Sequence, residues 1–204
     1  ILKKIIKKFD GTGLKPVVAI ELEFYLLDKK RNKEGKPVPA KGVSKTNVYG
    51  IPDLDIFGRL FDEINENCKK QGIPATTASS EFAAGQYEIN LKHTENLLKA
   101  ADDAALLRRI IKETSAKHGY EATFMAKPFL DETGSGMHLH VSVYDQKGKN
   151  IFASPNRYGN SKLKNAIAGL QSNFYDSFPI FIPNQNGYRR IHCLLYTSPS
   201  PRDN

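Results

Sequence analysis

Two glutamates, Glu21 and Glu23, lie two positions apart in the segment AIELEFYL. Because alternate side chains of a β-strand point to the same face, both carboxylates would leave one face of a strand here. Ile20, Leu22 and Phe24 would then point to the opposite face and suit a core. Glutamate is depleted in strands, so the pair indicates either an exposed edge face or a site that binds a cation.

Two further groups of polar residues carry a similar signal. Glu81 and Glu88 flank an Ala-Ala-Gly-Gln turn, and a hairpin there would bring their carboxylates together, although two solvated acids would give the same pattern. In GSGMHLHVSV, strand alternation places His138, His140 and Ser142 on one face. Histidines in strands are often structural, but two on one face also fit a common ligand.

The chemistry of these groups depends on whether they converge. Two like charges about 4 Å apart repel by about 4 kcal/mol at an effective dielectric constant near 20, so four converging carboxylates need cations to stay ionised. Carboxylate oxygens with one imidazole suit Mg²⁺ or Mn²⁺ better than zinc, which prefers cysteine and histidine. The sequence therefore predicts a magnesium or manganese site if the fold brings these residues together.

The strands that would position these groups are marked by β-branched and aromatic residues. We predict a strand over Leu14–Asp28, one on each arm of the Ala-Ala-Gly-Gln turn, and one each in YEATFMAKPF and GMHLHVSVYD. Strands mixed with helices, and joined in hairpin-like pairs, indicate an α+β fold with a largely antiparallel sheet.

Helical spacing predicts three principal helices besides an amphipathic helix at the start, ILKKIIKKFDGTG. The first runs from an N-cap at Asp55 to a stop at Gly72, and the second from an N-cap at Thr94 to Gly119. The third covers residues 161–178.

Composition limits the classes of partner. The chain has 204 residues, of which 40% are hydrophobic, and a net charge of +8. Its basic residues are spread over predicted turns and solvated faces, whereas a nucleic-acid surface favours arginines clustered among aromatics. No apolar run reaches the roughly 18 residues of a membrane helix. We expect a cytoplasmic protein with no nucleic-acid or membrane partner.

The final segment, CLLYTSPSPRDN, lacks periodicity and closely resembles a translated sequencing adapter. We expect Cys193–Asn204 to be a non-native tail and residues 1–192 to form one domain. Cys68 is then the remaining cysteine, which makes no disulfide framework and fits a reducing compartment.

Four motifs in order, ELEFYLLD, EFAAGQYEIN, KPF followed by GSGMHLHVS, and NGYRR, together resemble the catalytic domain of the glutamine synthetase family. The resemblance covers Leu14–Ile191. It implies a glutamine synthetase-type fold, with a largely antiparallel curved sheet and flanking helices, truncated in this chain at both ends.

The resemblance also implies roles for the residues in these motifs. Those implied for binding metal are Glu21, Glu23, Glu81, Glu88 and His138. His140 and Ser142 match positions that contact ATP. Gly134 falls in the loop that binds glutamate, and Arg190 matches an arginine that pairs with the glutamate carboxylate.

The implied reaction consumes ATP and uses two or more Mg²⁺ or Mn²⁺ ions. The γ-carboxylate of glutamate attacks ATP to give an acyl phosphate and ADP, and an amine then displaces phosphate to form an amide. The family implies a ring-shaped homo-oligomer. It also implies further site residues beyond Arg190, so we expect this chain alone to be inactive.

Two departures from the family pattern bear on the amine. Thr133 precedes Gly134 where glutamine synthetases typically have asparagine, and Ser79-Ser80 precede Glu81 where they usually have two histidines. Together with MAKPF and GQYEINL, these departures resemble the branch that joins glutamate to polyamines such as putrescine. An ammonia-using glutamine synthetase is the alternative.

Two other classes of function would fit parts of the sequence. A non-catalytic scaffold could share the fold, but it has no use for a costly cluster of charges. A nuclease with two metal ions would fit the acids and the basic charge, but it would favour the clustered arginine or aromatic surface that this sequence lacks.

Overall fold

The computed structural model of this protein describes residues 1–40 and 49–191. The tail predicted at Cys193–Asn204 lies outside the described residues.

One long strand organises the sheet. β1 (Lys15–Asp28) pairs along one edge with β3 (Gln86–Leu91), which in turn pairs with β2 (Ala75–Ser80). Along its other edge, the first part of β1 pairs with β5 (Met137–Tyr144) and the last part with β4 (Tyr120–Thr123). All of these pairings are antiparallel, which confirms the α+β fold with an antiparallel sheet.

The helices are α1 (Leu2–Ile6), α2 (Ile51–Ile56), α3 (Gly58–Lys70), α4 (Leu97–Lys117), α5 (Ser161–Ser172), α6 (Phe174–Phe181) and α7 (Gln185–Ile191). Two of them, α3 and α4, cover one face of the sheet, and Ile64, Leu107 and Ile111 of these helices are buried in its core. None of the helices in the described ranges is both long enough and apolar enough to cross a membrane.

The predicted core face of β1 is correct. Ile20, Leu22 and Phe24 are buried with α3 and α4 in one hydrophobic cluster, and each fully buried side chain of this size stabilises the fold by about 1.5–3 kcal/mol. Because residues alternate along a strand, Glu21 and Glu23 are directed to the opposite face. Core packing therefore determines which face carries the acids.

Two predicted helix N-caps are wrong. Asp55 lies inside α2, which begins at Ile51 with Pro52 in its first turn. Thr94 is held to the sheet by two backbone hydrogen bonds with Val18, and Asn96 caps α4 instead, accepting from the Lys99 N–H at 3.0 Å.

The predicted helix over residues 161–178 is divided into α5 and α6 at Asn173. The Asn173 side-chain amide donates to the Gly169 carbonyl at 2.8 Å and so satisfies one of the last carbonyls of α5. A local side-chain bond of this kind competes with continuation of the helix.

Candidate active site

Four of the predicted residues converge on the open face of the sheet. The register pairs Glu21 with His138 across β1 and β5, and Glu23 with Glu88 across β1 and β3. His138 Nδ1 lies 3.3 Å from Glu21 Oε2, 3.7 Å from Glu23 Oε1 and 3.8 Å from Glu88 Oε2. The convergence on which the predicted metal site depends is therefore present.

The environment of this cluster opposes ionisation of its acids. Glu23 and Glu88 are 6% and 4% exposed. Burial raises the pKa of Glu23, and the Glu88 charge raises it further, against the lowering effects of the Gly136 N–H and His138. Hydrogen bonding to Glu88 raises the pKa of His138, with the charges of Glu23 and Glu21 adding to the effect. A proton on His138 thus offsets part of the negative charge.

Glu81 joins the cluster electrostatically. Burial raises its pKa to about 7, and the charges of Glu23 and Glu88 contribute to the rise. The Glu81 N–H donates to the Gln86 carbonyl at 2.8 Å, which closes the turn between β2 and β3 as predicted. The hairpin therefore brings Glu81 within the field of the other acids.

The donor set fits a hard divalent cation. Ligand atoms of Glu21, Glu88 and His138 all lie within 4.8 Å of one another. Carboxylates this close repel one another, and the charge of Glu88 adds to the burial that raises the pKa of Glu23. A cation would relieve that repulsion. Oxygen-rich donors with a single imidazole match the ligand preferences of Mg²⁺ and Mn²⁺.

Glu81 predicts a pH dependence of stability. Its pKa is about 7 in the folded chain against an ordinary 4.5, so between these values the folded state holds a proton that the unfolded state has lost. This contribution to stability is complete below pH 4.5 and is lost as the pH rises to about 7. In EDTA, the free energy of unfolding of the wild type should fall by about 1–2 kcal/mol between pH 5 and pH 8, a figure already reduced for solvent screening. Glu81→Gln should not show this fall.

The measurement is urea denaturation of the wild type and the variant at each pH. Glu66→Gln, an exposed position on α3, is the control and should leave the pH profile unchanged. Parallel profiles for Glu81→Gln and the wild type would contradict the raised pKa of Glu81.

His140 and Ser142 continue the same face along β5. His140 Nε2 lies 2.9 Å from Glu21 Oε1, so Glu21 stands between two imidazoles. Ser142 pairs with Val17, further from the acids. The predicted face of His138, His140 and Ser142 is thus present, with Ser142 the most distant from the cluster.

The loop before β5 brings backbone groups to the acids. The Gly136 N–H donates to Glu23 Oε2 at 2.8 Å, and the Gly136 carbonyl accepts from the Glu23 N–H at 3.1 Å. At Gly134, an added Cβ would lie 2.6 Å from the Ala126 carbonyl oxygen and 2.8 Å from Arg190 Cγ. Glycine is therefore required at Gly134 by close packing on both sides, and Arg190 lies directly against this loop.

A buried hydrogen-bond network links this loop to Glu23. The Gln86 amide donates to Glu23 Oε2 and to the Gly134 carbonyl, both at 3.1 Å, and its oxygen accepts from the Thr133 hydroxyl at 2.5 Å. The Tyr25 hydroxyl donates to the Thr133 carbonyl at 2.6 Å. The side chain of Thr133 is therefore directed inward to Gln86.

Sequence reasoning singled out neither Gln86 nor Tyr25 as a site residue. Gln86 lies two positions before Glu88, and Tyr25 lies two positions after Glu23, so each shares the face of its glutamate. The signal was present in the alternation, but an amide and a phenol on a strand are not by themselves signs of a site.

The arrangement of acids, imidazoles and a glycine loop can be compared with known proteins. The family model described as "Glutamine synthetase, catalytic domain" matches residues 1–200 of the sequence. This chain belongs to the glutamine synthetase family.

Individual relatives of this family agree with that assignment. The chain is 40% identical to gamma-glutamylputrescine synthetase PuuA of Escherichia coli, with 96% of this chain and 43% of that protein covered. It is 36% identical to a glutamate–isopropylamine ligase of a Pseudomonas species, with 93% and 42% covered. The chain thus spans less than half the length of these curated relatives.

Solved structures support the same fold. The solved structure of a GmaS/ADP complex superposes with a TM-score of 0.80 at 26% identity, covering 95% of this chain and 44% of that one. Enzymes of the glutamine synthetase family use ATP and divalent metals, which is consistent with the acidic donor set on this sheet.

Proposed function

We propose that this chain carries the metal- and glutamate-binding part of an ATP-dependent ligase that joins glutamate to an amine, with a polyamine such as putrescine as the favoured acceptor. The observation that carries the proposal is the convergence of Glu21, Glu23, Glu88 and His138 beside the Gly134 loop. The two relatives described above are named for ligation of glutamate to amines, which favours an amine over ammonia.

We assign the acids to two neighbouring cation sites. Glu23, Glu81 and Glu88 would hold the ion nearer the amino acid, and Glu21 with His138 the ion nearer the nucleotide phosphates. Bound Mg²⁺ or Mn²⁺ would neutralise charge that develops on the transferred phosphoryl group. Gln86 and the Gly136 N–H orient Glu23 by occupying Oε2, while Oε1 faces His138.

The substrates are assigned to the two ends of this face. His140 and Ser142, further along β5, would contact the nucleotide. Gly134 and Arg190 would receive glutamate, since the guanidinium offers a charged, bidentate partner for a carboxylate and Arg190 lies against the Gly134 loop.

The proposed reaction has two steps. A γ-carboxylate oxygen of glutamate attacks the terminal phosphorus of ATP, the bond to the bridging oxygen breaks, and ADP leaves. The nitrogen of the amine then attacks the γ-carbonyl carbon, loses a proton and expels phosphate, which leaves an amide. A ring-shaped homo-oligomer in the cytoplasm belongs to the same proposal.

The test is ADP release by the enzyme expressed from its complete gene, given glutamate, ATP and Mg²⁺ with ammonia, putrescine, spermidine, ethanolamine or isopropylamine. We expect release with putrescine or a close relative. Release with ammonia alone would replace this proposal by the glutamine synthetase alternative, and no release with any of the five would refute both.

A pair of histidine variants ties the activity to this site. His138→Ala should abolish ADP release, because it removes the imidazole at the centre of the acids. His118→Ala is the matched control: His118 Nε2 lies 2.8 Å from Glu63, at the end of α4, and its loss should leave the activity unchanged.

A further inference from the structure

The side chain of Asn186 makes two hydrogen bonds to one residue, Lys127, of the loop that carries Gly134. Its Oδ1 accepts from the Lys127 N–H, and its Nδ2 donates to the Lys127 carbonyl, each at 2.8 Å. An asparagine amide has one acceptor oxygen and two donor hydrogens, so both ends of the group are used on a single backbone residue. Such a two-point bond fixes orientation as well as distance.

Lys127 lies at the start of a loop that closes on itself. The carbonyl of the preceding residue, Ala126, accepts from the Ser135 N–H at 2.9 Å. The Lys127 ammonium, which is buried, donates to the Glu132 carbonyl. These two hydrogen bonds close residues 126–135 into one loop, which carries Thr133 and Gly134.

Arg190 lies one helical turn after Asn186 on α7. Residues four apart on a helix project from the same face, so Asn186 and Arg190 approach the loop together. Arg190 Cγ would lie 2.8 Å from a Cβ at Gly134, and the positive charge of Arg190 opposes in small part the burial that raises the pKa of Glu23. The guanidinium is therefore coupled to the loop and to the acidic cluster.

We propose that Asn186 is a positioning residue for the amino-acid substrate: its two hydrogen bonds to Lys127 dock α7 on the loop and thereby set where Arg190 meets the carboxylate of glutamate. This inference rests on the proposed function. Asn186 itself touches neither substrate nor metal in this scheme, and it acts through Arg190.

The variant Asn186→Ala in the complete enzyme should raise the KM for glutamate about 10-fold, as expected for the loss of two ordinary hydrogen bonds. The KM for ATP and the Kd for Mn²⁺ should stay within about 2-fold, because the acids and β5 are held by other contacts. Asn186→Asp keeps the acceptor but sets a carboxylate oxygen against the Lys127 carbonyl oxygen, so it should raise the glutamate KM at least as much as alanine does.

Two comparisons separate positioning from simple destabilisation. Asn160, at the start of α5, also donates to two carbonyls, of Ile151 and Ala153, at 2.9 and 3.2 Å, and it accepts from the Leu163 N–H at 3.0 Å. Asn160→Ala should therefore cost at least as much stability as Asn186→Ala without raising the glutamate KM. In an Arg190→Ala background, Asn186→Ala should have little further effect, because the residue through which it acts is gone.

Equal increases in the KM values for glutamate and ATP, or full additivity with Arg190→Ala, would overturn the positioning role. Amide hydrogen exchange gives a second measurement that does not need turnover. If the enzyme releases no ADP, the proposed function fails, yet Asn186→Ala should still speed exchange at Lys127 and Ser135. Unchanged exchange at both amides would show that Asn186 does not hold the loop, whatever the enzyme's activity.

Discussion

Replacing Glu23 with glutamine should weaken Mn²⁺ binding by roughly 10³-fold and abolish ligase activity. Two unit charges about 4 Å apart attract by about 4 kcal/mol at an effective dielectric constant near 20, and each 1.4 kcal/mol is a factor of ten in affinity. Because Mn²⁺ is divalent, a factor of about 10³ is a lower estimate. The carboxylate is held in place by Gly136 and Gln86, so another acid cannot readily substitute for it. Titration of free Mn²⁺ by electron paramagnetic resonance gives the affinity, and ADP release gives the activity.

The same variant should have the opposite effect on the metal-free protein. Burial raises the pKa of Glu23, which means that its ionised form is destabilising, so a neutral amide should make the protein more stable in EDTA at pH 8. Glu66 is exposed, so Glu66→Gln should change neither the Mn²⁺ affinity nor the stability of the metal-free protein. If Glu23→Gln binds Mn²⁺ as tightly as the wild type, the proposed metal site is wrong. If the wild type itself does not bind Mn²⁺, the non-catalytic scaffold is favoured.

Substituting Gly134 with alanine should lower kcat/KM for glutamate by about 100-fold or more. The added Cβ would lie 2.6 Å from the Ala126 carbonyl oxygen, which is backbone, and 2.8 Å from Arg190 Cγ. The loop and α7 must then separate, and a displacement of about 1 Å at a reacting centre can cost on the order of 10²-fold in rate. Steady-state kinetics with glutamate and ATP varied separately would measure the effect.

Gly169 provides the matched control for this substitution. It lies within α5 with nothing within 4 Å of an added Cβ, so Gly169→Ala should be neutral for kinetics and should stabilise the helix by about 0.5–1 kcal/mol. Mn²⁺ affinity should persist in Gly134→Ala, since the added methyl group meets no acid. Normal kinetics in Gly134→Ala would show that the loop accommodates a side chain and that close packing at this position has no functional role.

Much of the fold was predictable because its determinants are local. Alternation along β1 separated the buried Ile20, Leu22 and Phe24 from Glu21 and Glu23, and the structure agrees. The helix caps were harder to predict, because a cap depends on contacts outside the helix. Thr94 has a hydroxyl that could cap a helix, but its backbone is hydrogen-bonded to Val18 in the sheet. Asn96 caps α4 instead.

The sequence by itself determined the residue types on each face and, through four ordered motifs, the family. Periodicity within one strand suffices for the first, since it needs no knowledge of neighbouring strands. The tertiary structure alone decided the register that sets Glu21 against His138, because a shift of one residue would turn every side chain to the other face. It alone also revealed Gln86 and Asn186, whose partners include backbone groups distant in the sequence, and such groups leave no mark in the pattern of side chains.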